Sequence, residues 1–367
     1  MVTPRVLFVG RGRLTLPLPV WLQKKWDALS NVLDLRVLNA GSGSGDERFR
    51  MLPDGAPAFY SRLPLEIARE LRAFRPQVVI ASDPILGVAA RAARLLARRS
   101  TRIVVEVHGD PRTFTRGYGS PLRRAVALGA DATARSGIRH ADATRALSPF
   151  TSSIVEQIRG VPATASFPTY SDLEVFAATP RVPVPEERRI VFVGALEAYK
   201  NVDGLAAAWR AVAARVSGAR LTVIGRGSRR LVIDGLVADV EGVEYFASLA
   251  PHEVVAALDA ARALVLPSWP EGLGRVVLEA FARGRAVVAT NAGGIPDIVT
   301  DGADGILVPR ADTAALADAL VRLLDDHDLA ARLGAAAGES YGPWHQTADD
   351  FAASYRDLVD RVLDGAR

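Results

Sequence analysis

Apolar runs of four or five residues alternate along the chain with longer stretches in which apolar positions recur every three or four residues. The first period predicts buried strands and the second amphipathic helices, and their alternation predicts parallel sheets with helical crossovers. The pattern occurs twice. In the first set the strand candidates are Val6–Val9, Leu33–Val37, Val78–Ile80, Ile103–Val107 and Ala143–Leu147. In the second they are Ile190–Val193, Leu221–Ile224, Val243–Phe246, Ala263–Leu266, Ala286–Ala289 and Gly305–Val308. Between the sets, Pro180, Pro183 and Pro185 remove backbone donors and stiffen an extended connector over residues 177–185.

This pattern predicts an α/β chain of two doubly wound domains, residues 1–180 and 186–342, with a last amphipathic helix in 343–367 reaching back to the first. Helical patterns also cover 312–324 and 329–337. Open α/β sheets bind ligands at the carboxyl ends of their strands, so loops in those places are where chemistry is sought.

Composition narrows the classes. The 367 residues are 49% hydrophobic and 23% charged, enough for two cores. With no cysteine, disulfides, thiolate metal sites and thiol nucleophiles are excluded. No apolar run is long enough to span a bilayer and no secretory leader is recognisable, so the expected location is cytoplasmic. The net charge of +4 is uneven: the basic residues concentrate before residue 180 and the acidic excess follows it. A basic first domain, with Trp21 and Trp26 beside Lys24 and Lys25, is compatible with peripheral contact at the inner face of a membrane. The basic residues are dispersed and form no nucleic-acid motif.

The most informative loop follows the strand candidate Ala263–Leu266. Glu271-Gly272-Leu273-Gly274 leads into a helix expected to start near Arg275 and run through Val276 to about Ala282. Glycines 272 and 274 let backbone N–H groups approach an anion, and the new helix adds unpaired N–H groups and the positive end of its dipole. Glu279 lies about 7–8 Å along that helix, roughly the separation of a diphosphate from its ribose. Its carboxylate suits two ribose hydroxyls, while Glu271 faces the sugar side of the diphosphate.

The run Pro267-Ser268-Trp269-Pro270-Glu271-Gly272-Leu273-Gly274, followed by Leu278-Glu279-Ala280 and Gly284-Arg285-Ala286-Val287-Val288-Ala289, resembles the signature of retaining glycosyltransferases of the GT-B fold, family 4. Gly293-Gly294-Ile295-Pro296-Asp297-Ile298-Val299, Asp301-Gly302 and Trp344 continue the resemblance in order. It implies two Rossmann-like domains facing each other across a cleft. The donor would be a nucleoside-diphosphate sugar, UDP- or GDP-linked, and the acceptor a glycan, a lipid-linked sugar or a small molecule. Gly194-Ala195-Leu196 to Lys200 is similar to the segment whose arginine and lysine hold the donor diphosphate. Lys200 matches and Ala195 replaces the arginine, leaving Arg226 or Arg275 to compensate. The resemblance also puts the nucleobase near Phe246, at the end of the strand Val243–Phe246. His108, in the turn His108-Gly109-Asp110, would contact the donor sugar and orient the acceptor.

The implied chemistry retains anomeric configuration and needs no protein nucleophile. Its catalytic candidates are Glu271, Lys200 and His108, and Gly272, Leu273, Gly274, Arg275, Val276, Glu279, Arg226 and Phe246 are its donor-binding candidates. No metal or other cofactor is expected, because the single Asp-x-Asp, Asp326-His327-Asp328, falls where a helix cap is needed. Gly10-Arg11-Gly12 follows the first strand where the family often has a glycine pair, matches it poorly, and has no third glycine to complete a dinucleotide fingerprint. A sugar-nucleotide epimerase and a non-catalytic membrane- or glycan-binding module are the alternatives. A phosphorylase is disfavoured because Lys200 is the only lysine beyond residue 25.

Overall fold

The computed structural model describes residues 3–53, 56–111 and 127–365. The first unit carries β1 (Arg5–Thr15), α1 (Val20–Val32), β2 (Asp34–Ser42), β3 (Phe49–Leu52), α2 (Ala56–Ala73) and β4 (Val78–Ala81). It continues through α3 (Pro84–Ala97), β5 (Arg102–Val107), α4 (Ala127–Arg139), β6 (Ala143–Ala146), α5 (Pro149–Arg159) and β7 (Ala165–Ser166). The second unit holds α6 (Glu174–Ala177), β8 (Arg189–Val193), α7 (Val202–Ala213), β9 (Arg220–Ile224), α8 (Arg230–Asp239), β10 (Val243–Phe246) and α9 (Pro251–Asp259). It then forms β11 (Ala263–Leu266), α10 (Arg275–Ala282), β12 (Ala286–Thr290), β13 (Gly305–Val308), α11 (Thr313–Asp325) and α12 (His327–Ser340). The last helix, α13 (Ala348–Leu363), returns to the first unit.

Every strand pair is parallel, with order β3-β2-β1-β4-β5-β6-β7 in one sheet and β10-β9-β8-β11-β12-β13 in the other. Each order reverses direction once, between β1 and β4 and between β8 and β11, and those reversals open the crevices where such sheets bind ligands. The central strands are buried on both faces, as the uninterrupted apolar runs require. One layer of the first core is made by the last helix: Phe351, Tyr355, Leu358, Val359 and Val362 pack with Trp26, Leu29 and Phe8.

The proline-rich connector belongs with the second unit, and the units divide at residues 172/173 and 345/346. Three arginines account for this. A connector with prolines offers carbonyls but too few donors to join a sheet ladder, and those carbonyls need partners. The buried Arg283 donates to the carbonyls of Phe176, Thr179 and Pro180 at 2.7–3.0 Å and forks onto Asp259. Arg285 donates to Val182 and Pro183 at 3.1 Å, and Arg181 to Ala282 and Gly338.

Contrary to expectation, the first strand does not end at Val9 with Gly10-Arg11-Gly12 following it. The strand β1 continues to Thr15, with a register shift against β2 between Gly10 and Leu14. Asn39 bridges the irregularity, its amide donating to the carbonyls of Gly12 and Ala40. Leu14 then pairs with Gly41, where a Cβ would lie 2.0 Å from the Leu14 carbonyl oxygen. Only glycine allows that approach. As expected, Asp326 caps α12, accepting from the Leu329 N–H at 2.8 Å.

Candidate functional site at a sheet reversal

The loops following β8 and β11 leave the second sheet at its reversal point and are joined there. Trp269 donates its N–H to the Tyr199 carbonyl at 2.7 Å, and Lys200 forms an ion pair with Glu271. Two side chains from separate motifs therefore meet. Lys200 is 9% exposed, held by the short 3-10 turn Ala198–Lys200. Glu271 is fixed from the other side: it bridges to Gly293, and its carbonyl accepts from the Gly294 N–H at 2.8 Å. Gly293 has φ 65° and a Cβ there would lie 2.3 Å from the Glu271 carbonyl oxygen, so the turn requires glycine twice over.

Gly274, at φ 78° and ψ 53°, turns the chain into α10, which begins at Arg275 as expected. Val276 is buried beneath the loop with Leu273, so both serve the loop through packing and backbone. Glu279 is 4% exposed. Burial raises its carboxyl above the ordinary range, and the Arg275 guanidinium, donating to it at 2.8 Å, opposes that rise. Arg275 is thus committed to Glu279 along the helix.

The loops after β9 and β10 flank this site. The Gly194 N–H donates to Ile224 and the Leu196 N–H to the Arg226 carbonyl, at 2.9 and 2.8 Å. A Cβ on Gly225 would lie 1.8 Å from the Gly194 carbonyl oxygen. Arg226 consequently sits beside Ala195, on an exposed turn, and its side chain makes no ion pair among the described residues. The Gly225 N–H donates to the Phe246 carbonyl at 2.9 Å, placing Phe246, 41% exposed, at the outer edge of the same group of loops. Tyr245 beneath it donates to Gly225 and lies under the Arg230 guanidinium.

His108 lies in the other unit, at the carboxyl end of β5, with its side chain 42% exposed. Its Nε2 is 3.1 Å from Oε2 of the buried Glu106. Glu106 also receives Arg145 Nη1 at 2.7 Å and the Tyr355 hydroxyl. Burial alone would raise its carboxyl, but Arg145 and the bonds from His108 and Tyr355 outweigh that and hold it well below the usual range. Sequence reasoning passed over this set, although a signal existed. Glu106 interrupts the apolar run Ile103–Val107, Arg145 is the one charged residue of β6, and they are direct partners in the β5–β6 register.

Among the described residues no group of three or more His, Asp or Glu side chains is placed to hold a metal, and no helix is long and apolar enough to cross a membrane. Of the two tryptophans in the basic segment, Trp26 is core and Trp21 is exposed.

Residues 187–326 match the family described as Glycosyl transferases group 1, and residues 23–166 match the Glycosyl transferase 4-like domain. Both candidate regions fall inside these matches. The D-inositol 3-phosphate glycosyltransferase of Nocardia farcinica is 34% identical over 183 residues, 47% of this chain and 41% of that protein. That of Mycolicibacterium smegmatis is 34% identical over 199 residues, 50% of this chain and 45% of that one. The match thus spans less than half the length of these relatives. Among solved structures, sucrose-phosphate synthase from Thermosynechococcus elongatus superposes with a TM-score of 0.76 at 18% identity, covering 97% of this chain and 99% of that one. Anabaena HepE in complex with UDP superposes with a TM-score of 0.70 at 16% identity, covering 98% and 99%. Both likenesses concern the fold.

Proposed function

The chain belongs to the group 1 glycosyltransferases of the GT-B fold, family 4 type, and we propose that it moves a sugar from a nucleoside-diphosphate sugar to an acceptor hydroxyl with retention of configuration. The observation that carries this reading is the joining of Lys200 to Glu271 at the sheet reversal, beside the glycine turn that opens α10.

The donor diphosphate would lie over Gly272–Gly274 and the amino end of α10, with the ribose hydroxyls on Glu279 and the base toward Phe246. UDP and GDP sugars both suit this arrangement. Charge is the deciding constraint. The Lys200–Glu271 pair is neutral as a unit and Arg275 is balanced by Glu279, so the site has little net positive charge to meet a diphosphate. Arg226, on the turn bonded to Leu196 next to Ala195, is the cation available to replace the arginine missing at 195. As the donor binds, Lys200 would turn from Glu271 toward the phosphate, and Glu271 toward the sugar hydroxyls.

In the transfer, the acceptor oxygen forms a bond to the anomeric carbon on the face from which the diphosphate departs. The bond from that carbon to the phosphate oxygen breaks, and the acceptor proton passes to the leaving diphosphate. The protein's contribution is orientation and stabilisation of the departing charge, with His108 bonding an acceptor hydroxyl. D-inositol 3-phosphate belongs in the acceptor panel because of the relatives' activity, beside lipid-linked sugars and glycans. A basic first unit is compatible with acceptors held at a membrane surface.

The test is release of nucleoside diphosphate from a panel of nucleotide sugars with these acceptors. Release that requires an acceptor, with the donor's anomeric configuration kept in the product, is expected. Conversion of the donor sugar without release would mean an epimerase and overturn the reading.

A further inference from the structure

The carboxylate beneath His108 determines more than the ring's position. Glu106 is 5% exposed and both its oxygens are engaged. Oε1 takes Arg145 and Tyr355, and Oε2 takes His108. Arg145, 1% exposed, is spread over four acceptors: Glu106, the Tyr355 hydroxyl at 3.0 Å, and the carbonyls of Phe167 and Pro168 at 3.0 and 2.7 Å. Its guanidinium also lies 4.1 Å from the Phe167 ring centroid. Lys25, from α1, adds another cation to the field around Glu106. Its own ammonium is lowered to about 8 by burial, with Glu106 opposing and Arg145 adding to the fall.

In such a field Glu106 is ionised and can only accept. The proton positions then follow in order. Arg145 donates to the Tyr355 oxygen, Tyr355 donates its hydroxyl proton to Oε1, and His108 must donate from Nε2 to Oε2. A carboxylate whose only task was to neutralise Arg145 in the core would have no need to reach a half-exposed imidazole.

We propose that Glu106 is a positioning residue: it fixes His108 as the Nε2–H tautomer and leaves Nδ1 as a hydrogen-bond acceptor for an acceptor-substrate hydroxyl. Tyr355 makes the last helix, some 250 residues away in sequence, part of this arrangement. The proposal rests on the reading of His108 as a substrate contact, and it specifies which ring nitrogen does the work.

The experiment uses the full chain labelled with 15N-histidine, at about pH 8.5, above the ordinary imidazole range. Long-range 1H–15N correlations report the tautomer, and the His108 signals are assigned by their loss in His108→Asn. The wild type is expected to show protonated Nε2. In Glu106→Gln that preference should be lost, with kcat for transfer down roughly 10–100-fold and donor affinity changed less than about twofold. Adding Glu106→Gln to His108→Asn should cause no further loss. Since Glu106→Gln leaves Arg145 buried without its charge partner, Glu106→Gln/Arg145→Met, which removes both charges, is the companion variant and should release the tautomer in the same way. A wild-type His108 protonated at Nδ1, or a tautomer unchanged in both variants, overturns the inference alone. Full turnover by His108→Asn, with the tautomer shift present, overturns the substrate contact and with it the catalytic consequence of Glu106.

Discussion

Lys200 and Glu271 lie 71 positions apart in the chain, yet each is the other's partner: their ion pair joins two loops and holds the lysine beside the glycine turn that opens α10. Substituting Lys200→Ala is expected to lower kcat by about 10²–10³-fold, with the folded far-UV spectrum retained, as measured by steady-state release of nucleoside diphosphate. Glu279 makes a different prediction, because its folded-state carboxyl is raised by burial against the pull of Arg275. A raised acid favours folding at low pH and loses that contribution as pH rises through its folded value. Glu279→Gln, which is never charged, should therefore match or exceed the wild type in Tm at pH 7, with the gap closing as pH falls toward the carboxylate range. Donor affinity should fall about 10–100-fold, the equivalent of a hydrogen bond to a charged group. Thermal melts across pH, paired with titration of the donor, measure both.

The loops rather than the strands hold the candidate site at the level of elements, and they were unequally legible. Strand cores and the α10 boundary followed from apolar periodicity and from glycines before a helical pattern, since both are local properties. β3 was missed because the exposed Arg50 interrupts its apolar run, and β7 because two residues show no pattern at all. The continuation of β1 through Gly10-Arg11-Gly12 was missed because its pairing depends on Asn39 and Gly41 on another strand. The Lys200 and Glu271 motifs were each visible, but their ion pair is a product of the strand order. Gly293→Ala tests how much one turn supports the site. It forces a Cβ into the Glu271 carbonyl and should cost about 1–3 kcal/mol, seen as a lower denaturation midpoint, together with weaker donor binding. Arg283→Ala tests the connector. Stripping Asp259 and three carbonyls of a buried partner should cost about 3–5 kcal/mol, measured by the same unfolding curves.

For the whole molecule, the returning helix means that the two units are unequal in sequence continuity. The second unit is almost contiguous and includes its own connector, whereas the first needs α13 to close its core. A fragment covering residues 173–345 is expected to unfold cooperatively by itself, and one ending at residue 172 to lack a cooperative transition until residues 346–367 are supplied. Differential scanning calorimetry of the fragments decides it. The central claim concerns that contiguous unit: its sheet reversal seats a nucleoside diphosphate. Calorimetric titration of UDP and GDP into the full chain tests it most directly. Saturable one-to-one binding of at least one of them is expected, weakened about 10–100-fold by Glu279→Gln. Absence of binding by either nucleotide at about millimolar concentration, or binding that Glu279→Gln leaves untouched, would contradict it.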